Sequence, residues 1–144
     1  METTRFREVA PDYFVAPQLI ADDFAAARAA GIRTVINNRP DGEATDQLSD
    51  GEARTLAAAA GLHYAFVPVV SGRMAAEDVS TLVETIAIHP GPYLAYCRSG
   101  TRSCHLWALA TAGDRPVEET IRAAAVAGYD LAPLRPVLER LARG

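Results

Sequence analysis

The sequence predicts an α/β fold with a mainly parallel central sheet flanked by helices on both faces. Three observations predict it. Short apolar segments alternate with longer segments of helical pattern. Glycine or proline stands at most of the boundaries between them. The chain has 144 residues, 49% of them hydrophobic, which suffices for one core of ordinary size. This alternation is typical of a three-layer arrangement, and we expect residues 1–144 to form a single domain.

Four strands are predicted from the short apolar segments. The clearest is RTVINN, because it is apolar and rich in β-branched residues. PYLAY is the last of them along the chain, and a polar loop follows it. The predicted strands are residues 13–16, 33–38, 63–69 and 92–96.

The predicted helices carry start and stop signals. Ser49 and Glu52 have the spacing of a capping box, and residues 116–128 open with proline and close with glycine. Residues 39–51 are rich in turn formers and are predicted to be a loop. The predicted helices are residues 22–31, 51–61, 75–89, 103–113 and 116–128, and a last helical segment follows Pro133.

Composition excludes several classes of partner. Net charge is −4, so we expect no general attraction to nucleic acid or to an anionic membrane. No apolar run approaches the length of about 20 residues that spans a bilayer, and the first residues are too polar for a secretory signal. The two cysteines suit neither a disulfide framework nor a zinc site. We therefore expect a cytoplasmic protein without a metal or organic cofactor.

The segment YCRSGTRS, residues 96–103, lies between a predicted strand and a predicted helix. A short loop at that place turns successive backbone N–H groups inwards, and the helix adds partial positive charge. Gly100 allows a backbone with positive φ, while Arg98 and Arg102 supply charge-assisted hydrogen bonds. We therefore predict an oxyanion site. Its further candidate ligands are Ser99, Gly100, Thr101 and Ser103.

Cys97 stands at the start of this loop. The amides and the helix dipole that would bind an anion would also stabilise its thiolate, which makes Cys97 the candidate nucleophile. A single cysteine before a helix is more often a small buried apolar residue, but the arginines, the glycine and the position together favour catalysis. Cys104 is expected to face the core.

Two arginines are ranked for the substrate anion. Arg102 is the first choice, because it closes the loop, and it is paired with Cys97 as a catalytic candidate. Arg39 follows the strand at residues 33–38, and ligands of parallel sheets bind beyond the carboxyl ends of the strands. We therefore expect Arg39 to be able to reach the same anion from the neighbouring loop.

The loop resembles those of two enzyme families. Rhodanese-type sulfurtransferases carry a six-residue loop, often CRSGxR, and residues 97–102 read CRSGTR. Cysteine-dependent phosphatases place five residues between cysteine and arginine, and Ser103 stands where that arginine would be. By loop length, the segment is similar to rhodaneses.

Nearly the whole chain resembles a third group. Residues 31–43, VPV at 67–69, YLAYCRSGTRS, LWALA at 106–110 and AGYDL at 127–131 are similar to the phosphatase-like domain of beta-lactamase hydrolase-like proteins. This resemblance implies the fold of the dual-specificity phosphatases. In the fused proteins the domain accompanies a persulfide dioxygenase-like domain, which implies sulfur metabolism and suggests a persulfide dioxygenase as a partner.

Three functions remain open. Phosphatases of this fold supply an aspartic acid from a loop ahead of the cysteine, but residues 66–74 contain no carboxylate. Glu77 and Asp78 fit the first turn of a helix. Asp41 and Glu43 are candidate substitutes for this acid from the neighbouring loop, but their position after Arg39 and Pro40 fits a turn better. The main expectation is therefore a sulfurtransferase that moves sulfane sulfur from thiosulfate or a persulfide, through a Cys97 persulfide, to a thiol acceptor. The alternative is a phosphate-monoester hydrolase with a Cys97 phosphocysteine. The third is a non-catalytic module that binds an anion or a persulfide.

Overall fold

The computed structural model describes residues 5–144 and contains one five-stranded sheet. Its order is β1-β2-β5-β3-β4, in which β2, β5, β3 and β4 are parallel and β1 pairs antiparallel with β2. This confirms the predicted mainly parallel sheet. The strands are β1 (Arg7–Ala10), β2 (Tyr13–Ala16), β3 (Thr34–Asn37), β4 (His63–Phe66) and β5 (Tyr93–Tyr96).

Helices cover both faces of the sheet. They are α1 (Ala21–Ala29), α2 (Asp50–Ala59), α3 (Ala76–Ile88), α4 (Thr101–Ala110), α5 (Val117–Val126) and α6 (Arg135–Ala142), with a short 3₁₀ helix, Ala132–Leu134, before α6. The capping box that Ser49 and Glu52 predict is present at α2, where Glu52 N–H donates to Ser49 Oγ and Ser49 N–H donates to Glu52 Oε1. No helix within residues 5–144 is long and apolar enough to cross a membrane.

Successive side chains of the central strand, β5, pack alternately into two hydrophobic cores, one on each face of the sheet. On β5, Leu94 packs with the buried residues of α1 and α2, whereas Ala95 packs with those of α3 to α6. Trp107 of α4 is among the largest fully buried side chains and belongs to the second core. Because successive strand residues face opposite sides, β5 is covered on both faces, which accounts for its continuous apolar sequence.

The structure differs from the predicted elements in three places. Strand β1, REVA, was not predicted, because two of its four residues are exposed polar side chains and it pairs only at the sheet edge. Strand β4 ends at Phe66 rather than at residue 69. Helix α4 begins at Thr101 rather than at residue 103, so Arg102 lies in its first turn instead of in the loop.

Candidate active site

The loop from Cys97 to Gly100 joins β5 to α4 at the carboxyl edge of the sheet. Neighbouring chain segments fix its backbone: Cys97 N–H donates to the Ala16 carbonyl at 3.4 Å, and Gln18 N–H donates to the Arg98 carbonyl at 3.2 Å. The loop after β3 is tied to the same place, since Asn38 N–H donates to the Tyr96 carbonyl at 2.8 Å. Three parallel strands therefore bring their following loops together here.

Gly100 gives the loop its shape. Its φ is +94°, a left-handed conformation that glycine adopts without steric cost, and it forms the N-cap of α4. In this conformation Gly100 N–H donates to Cys97 Sγ over 3.1 Å. A Cβ at Gly100 would lie 2.1 Å from Tyr129 Oη, which itself donates to the Ser99 carbonyl. Tyr129 thus packs over the turn that holds Cys97, whose exposure is only 1%.

The guanidinium of Arg102 is held by two acceptors. Nη1 and Nη2 donate to Oε2 and Oε1 of Glu43, each over 2.8 Å, and Nη1 also donates to the Val69 carbonyl over 2.8 Å. A guanidinium has five N–H donors. Nε–H and the second Nη2–H have no oxygen or nitrogen acceptor among residues 5–144. These two donors form one edge of the guanidinium, which is the fork that binds an oxyanion in bidentate fashion.

Glu43 joins both predicted anion-binding arginines. Its Oε1 accepts from Arg39 Nε over 2.9 Å as well as from Arg102, and the Arg39 side chain is only 5% exposed. Hydrogen bonds from Arg102 and then Arg39 lower the pKa of Glu43 to about 2. The bond from Glu43 raises the pKa of Arg102, and the charge of Cys97 acts in the same direction. The guanidinium of Arg102 therefore lies in the electrostatic field of the cysteine sulfur.

The remaining candidates divide into exposed and structural residues. Arg98, Ser99 and Thr101 are exposed at the mouth of the loop, and Ser99 Oγ donates to Thr101 Oγ1 over 3.0 Å. Ser103 is fully buried, and its hydroxyl donates to Asn38 Oδ1 over 2.8 Å. In this conformation Ser103 ties α4 to the loop after β3 and does not face the loop mouth.

Two contributors to the site did not emerge from the sequence: the Val69 carbonyl and Gln18, whose Oε1 accepts from Arg39 Nη1 over 3.0 Å. Glu43 emerged only as a candidate acid, and its pairing with Arg39 and Arg102 was missed. The one available signal was that Glu43 lies in the loop after a buried strand, four residues beyond Arg39. That spacing fits a turn equally well, so the pairing with Arg102 required the three-dimensional structure.

Cys104 lies in the core, as expected. Burial, followed by the charge of Cys97, raises the pKa of Cys104 to about 12. Its thiol is therefore neutral at physiological pH. Among residues 5–144, no three histidine, cysteine or carboxylate side chains are grouped as a metal site would require.

Sheet order, covering helices and the cysteine loop before α4 together define the fold of the cysteine-dependent phosphatases. A protein described as Tk-PTP, in its active form, superposes with a TM-score of 0.71 over 96% of this chain and 97% of its own, at 12% identity. A provisionally assigned phosphatase from Neisseria meningitidis Z2491 superposes with a TM-score of 0.83 over 97% of this chain and 99% of its own, at 32% identity.

Residues 5–114 match the family described as beta-lactamase hydrolase-like protein, phosphatase-like domain. The beta-lactamase hydrolase-like protein of Xylella fastidiosa strain 9a5c is 37% identical over 123 residues. Those residues are 84% of this chain but 28% of that relative. The chain thus spans between a quarter and a third of the relative's length. The chain belongs to the phosphatase-like domain family of the beta-lactamase hydrolase-like proteins, which confirms the resemblance that its motifs indicated.

Replacing Gly100 by alanine tests the shape of the loop. We expect Gly100→Ala to lower the free energy of unfolding by about 2 kcal/mol, because a left-handed backbone and the contact with Tyr129 Oη are both unfavourable for a Cβ. Urea unfolding followed by Trp107 fluorescence measures it. Gly42→Ala is the matched control, since Gly42 also has positive φ but meets nothing within 4 Å. Equal losses in the two variants would show that Tyr129 does not restrict the loop.

The lowered pKa of Glu43 predicts a specific acid dependence of stability. A carboxylate whose folded pKa is about 2 stabilises the native state above its unfolded pKa, and that contribution is lost as pH falls. We expect the free energy of unfolding of wild type, measured in urea at pH 6, to exceed that of Glu43→Gln by about 1 kcal/mol, because solvent screens the charge of this partly exposed group. The difference should shrink between pH 4.5 and pH 3. Glu84→Gln, on the exposed face of α3, is the control, and its free energy of unfolding should depend on pH as that of wild type does. If the free energy of unfolding of Glu43→Gln shows the same pH dependence as wild type, the pairing of Glu43 with the arginines is refuted.

The two cysteines are expected to differ in reactivity. At pH 7, iodoacetamide should modify Cys97, whose sulfur lies at the start of the loop and accepts from Gly100 N–H, while leaving Cys104 intact because its thiol is neutral. Peptide mass spectrometry after timed quenching measures both rates. In Cys97→Ser, Cys104 should be modified only after unfolding in urea. If native Cys97 reacts no faster than an unfolded cysteine, the loop does not stabilise a thiolate.

Proposed function

We propose that this protein hydrolyses phosphate monoesters, with Cys97 as the nucleophile and Arg102 as the ligand of the phosphoryl group. The observation that carries the proposal is the Arg102 guanidinium, held by Glu43 in the electrostatic field of a cysteine sulfur that already accepts a backbone N–H. The phosphatase fold and the family support it. The order of the two enzyme hypotheses from the sequence is thereby reversed, since the family and its structural relatives favour the phosphatase alternative over sulfur transfer.

The reaction follows from these groups. The Cys97 thiolate attacks phosphorus, the bond from phosphorus to the alcohol oxygen breaks, and that oxygen leaves with the electron pair and takes up a proton. Loop amides and Arg102 hold the phosphoryl oxygens, while Ser99, Thr101 and Arg98 surround the mouth of the loop. Water then attacks the phosphocysteine, which releases inorganic phosphate and restores the thiolate. Arg39 acts through Glu43 by fixing the position of Arg102.

The lack of an acid that could protonate the leaving alcohol restricts which phosphate esters the protein can hydrolyse. Residues 66–74 carry no carboxylate. Glu43 is held ionised by the two arginines, so it has no proton to give at neutral pH. A leaving group that departs easily as an anion, such as a phenolate, needs the least help from an acid. We therefore propose that aryl phosphates are hydrolysed faster than simple alkyl phosphates.

The test is the hydrolysis of p-nitrophenyl phosphate. We expect release of p-nitrophenol by wild type, none by Cys97→Ser, and an acid-quenched intermediate in which Cys97 carries a phosphoryl group. Arg102→Lys should lower kcat/KM about 100-fold, because lysine offers a point charge without the fork. Arg122→Ala, an exposed arginine of α5, is the matched control and should retain full activity. Equal activity of Arg102→Lys and wild type would remove Arg102 from the reaction.

Sulfur transfer is the second candidate, and the six-residue loop together with the missing acid favours it. The Cys97 thiolate would attack the sulfane sulfur of thiosulfate, the S–S bond would break, and sulfite would leave with the electron pair. A thiol acceptor would then remove the sulfur from the Cys97 persulfide. A persulfide dioxygenase would be the corresponding partner. A persulfide on Cys97 after thiosulfate treatment, with no turnover of aryl phosphates, would replace the phosphatase proposal. Anion binding without either reaction would leave the non-catalytic module.

A further inference from the structure

A large groove has Arg102 in its wall. Its volume is about 740 Å³, within the range of sites that bind small organic molecules. The loop after β4, the start of α3, one side of α4 and the end of α6 form its walls. Most of its lining is aliphatic, including Met74, Val79, Leu109 and Val137. This space far exceeds what a phosphoryl group alone would fill.

The groove and the anion site share Arg102. The guanidinium lines the groove and donates to the carbonyl of Val69, which also lines it. The charge of Cys97 acts on the same guanidinium and raises its pKa, so one side chain borders both the groove and the cysteine loop. A molecule whose anionic head is bound by the fork would therefore have its remaining atoms next to an apolar wall.

The charges and exposure of the groove define what fits it. Its ionisable lining residues are Arg102, Arg140 and His105, and none of the carboxylates within residues 5–144 lines it. Burial lowers the pKa of His105, which keeps that ring neutral at physiological pH. At the rim, Val70 and Leu141 are 51% and 43% exposed. A ligand in the groove would remove this apolar surface from water, which is favourable. A cationic end and aliphatic walls suit an anion attached to an apolar group.

We propose that this groove binds the apolar alcohol portion of the substrate, so that the protein selects phosphate monoesters of alcohols carrying a large aryl or long alkyl group. This inference rests on the proposed phosphatase function. Arg102 binds the phosphoryl group, while Val79, Leu109 and Val137, which line the groove, contact the hydrocarbon. Selectivity then comes from buried hydrocarbon and not from further polar contacts.

A series of 4-alkylphenyl phosphates tests the groove, because the alkyl chain changes apolar contact while the phenol leaving group stays constant. We expect kcat/KM to rise about tenfold or more from 4-methyl to 4-octyl, since each buried methylene contributes favourably. Leu141→Glu and Val70→Glu should reduce that rise severalfold. Ile88→Glu, at an aliphatic position that is 76% exposed but lies outside the groove, should keep the full rise. All substrates are used below their micelle concentrations.

The outcomes separate this inference from the phosphatase proposal. If every member of the series is hydrolysed at the same rate, the groove proposal is overturned and the phosphatase proposal stands. The same holds if the increase of kcat/KM with alkyl length is lost in Ile88→Glu as much as in Leu141→Glu and Val70→Glu. If no phosphate ester is hydrolysed, the reaction proposal fails, and calorimetric titration of Cys97→Ser decides the groove. Octyl phosphate binding at least tenfold more tightly than ethyl phosphate would uphold it, and equal affinity would overturn it.

Discussion

The pairing of Glu43 with Arg102 is the interaction that assembles the site. It joins α4 to the loop after β3, and the bond from Arg102 to the Val69 carbonyl adds the segment after β4. Arg39 extends the arrangement, since it donates to the same Glu43 oxygen as Arg102 does and to Gln18 after β2. A long arginine side chain has many rotamers, and fixing it before a ligand arrives reduces the entropy lost on binding. The parallel sheet makes this possible by ending β2, β5, β3 and β4 at one edge.

The same pairing limits how much positive charge the site offers. Arg39 and Arg102 contribute two cations and Glu43 contributes one anion, so these three groups together carry a single net positive charge. Under the proposed function, a phosphate would be held by this single net charge and by directed donors, namely the remaining N–H groups of Arg102 and the amides of the loop. This agrees with a chain of net charge −4, in which any attraction for anions must be local. Preorganised donors of this kind act on the transition state without further rearrangement.

Much of this fold was predictable because its signals are local. The buried strands at residues 33–38 and 92–96 and the capping box at Ser49 are short-range patterns, and the structure contains them all. Strand β1 lacked such a signal, since an edge strand with exposed polar residues has no apolar run. The start of α4 was misplaced because the conformation of Gly100, and not a capping side chain, begins that helix. Glu43 could not be assigned, because its partner Arg102 lies 59 residues away in sequence and only the topology brings the two together.

The length of the loop after Cys97 determines which residue of α4 is the arginine and therefore which way its side chain points. In the longer phosphatase loop, arginine would stand at the position of Ser103, and here that side chain is fully buried and donates to Asn38. Adjacent residues of a helix differ in direction by about 100°. Arginine at 102 therefore leaves α4 on another side from residue 103, towards Val69, Glu43 and the groove. Shortening the loop by one residue thus frees position 103 to anchor the helix and places the cation in the wall of an apolar groove. In the proposed function, an arginine in that wall would hold the anion of the substrate while the attached hydrocarbon lies along α4.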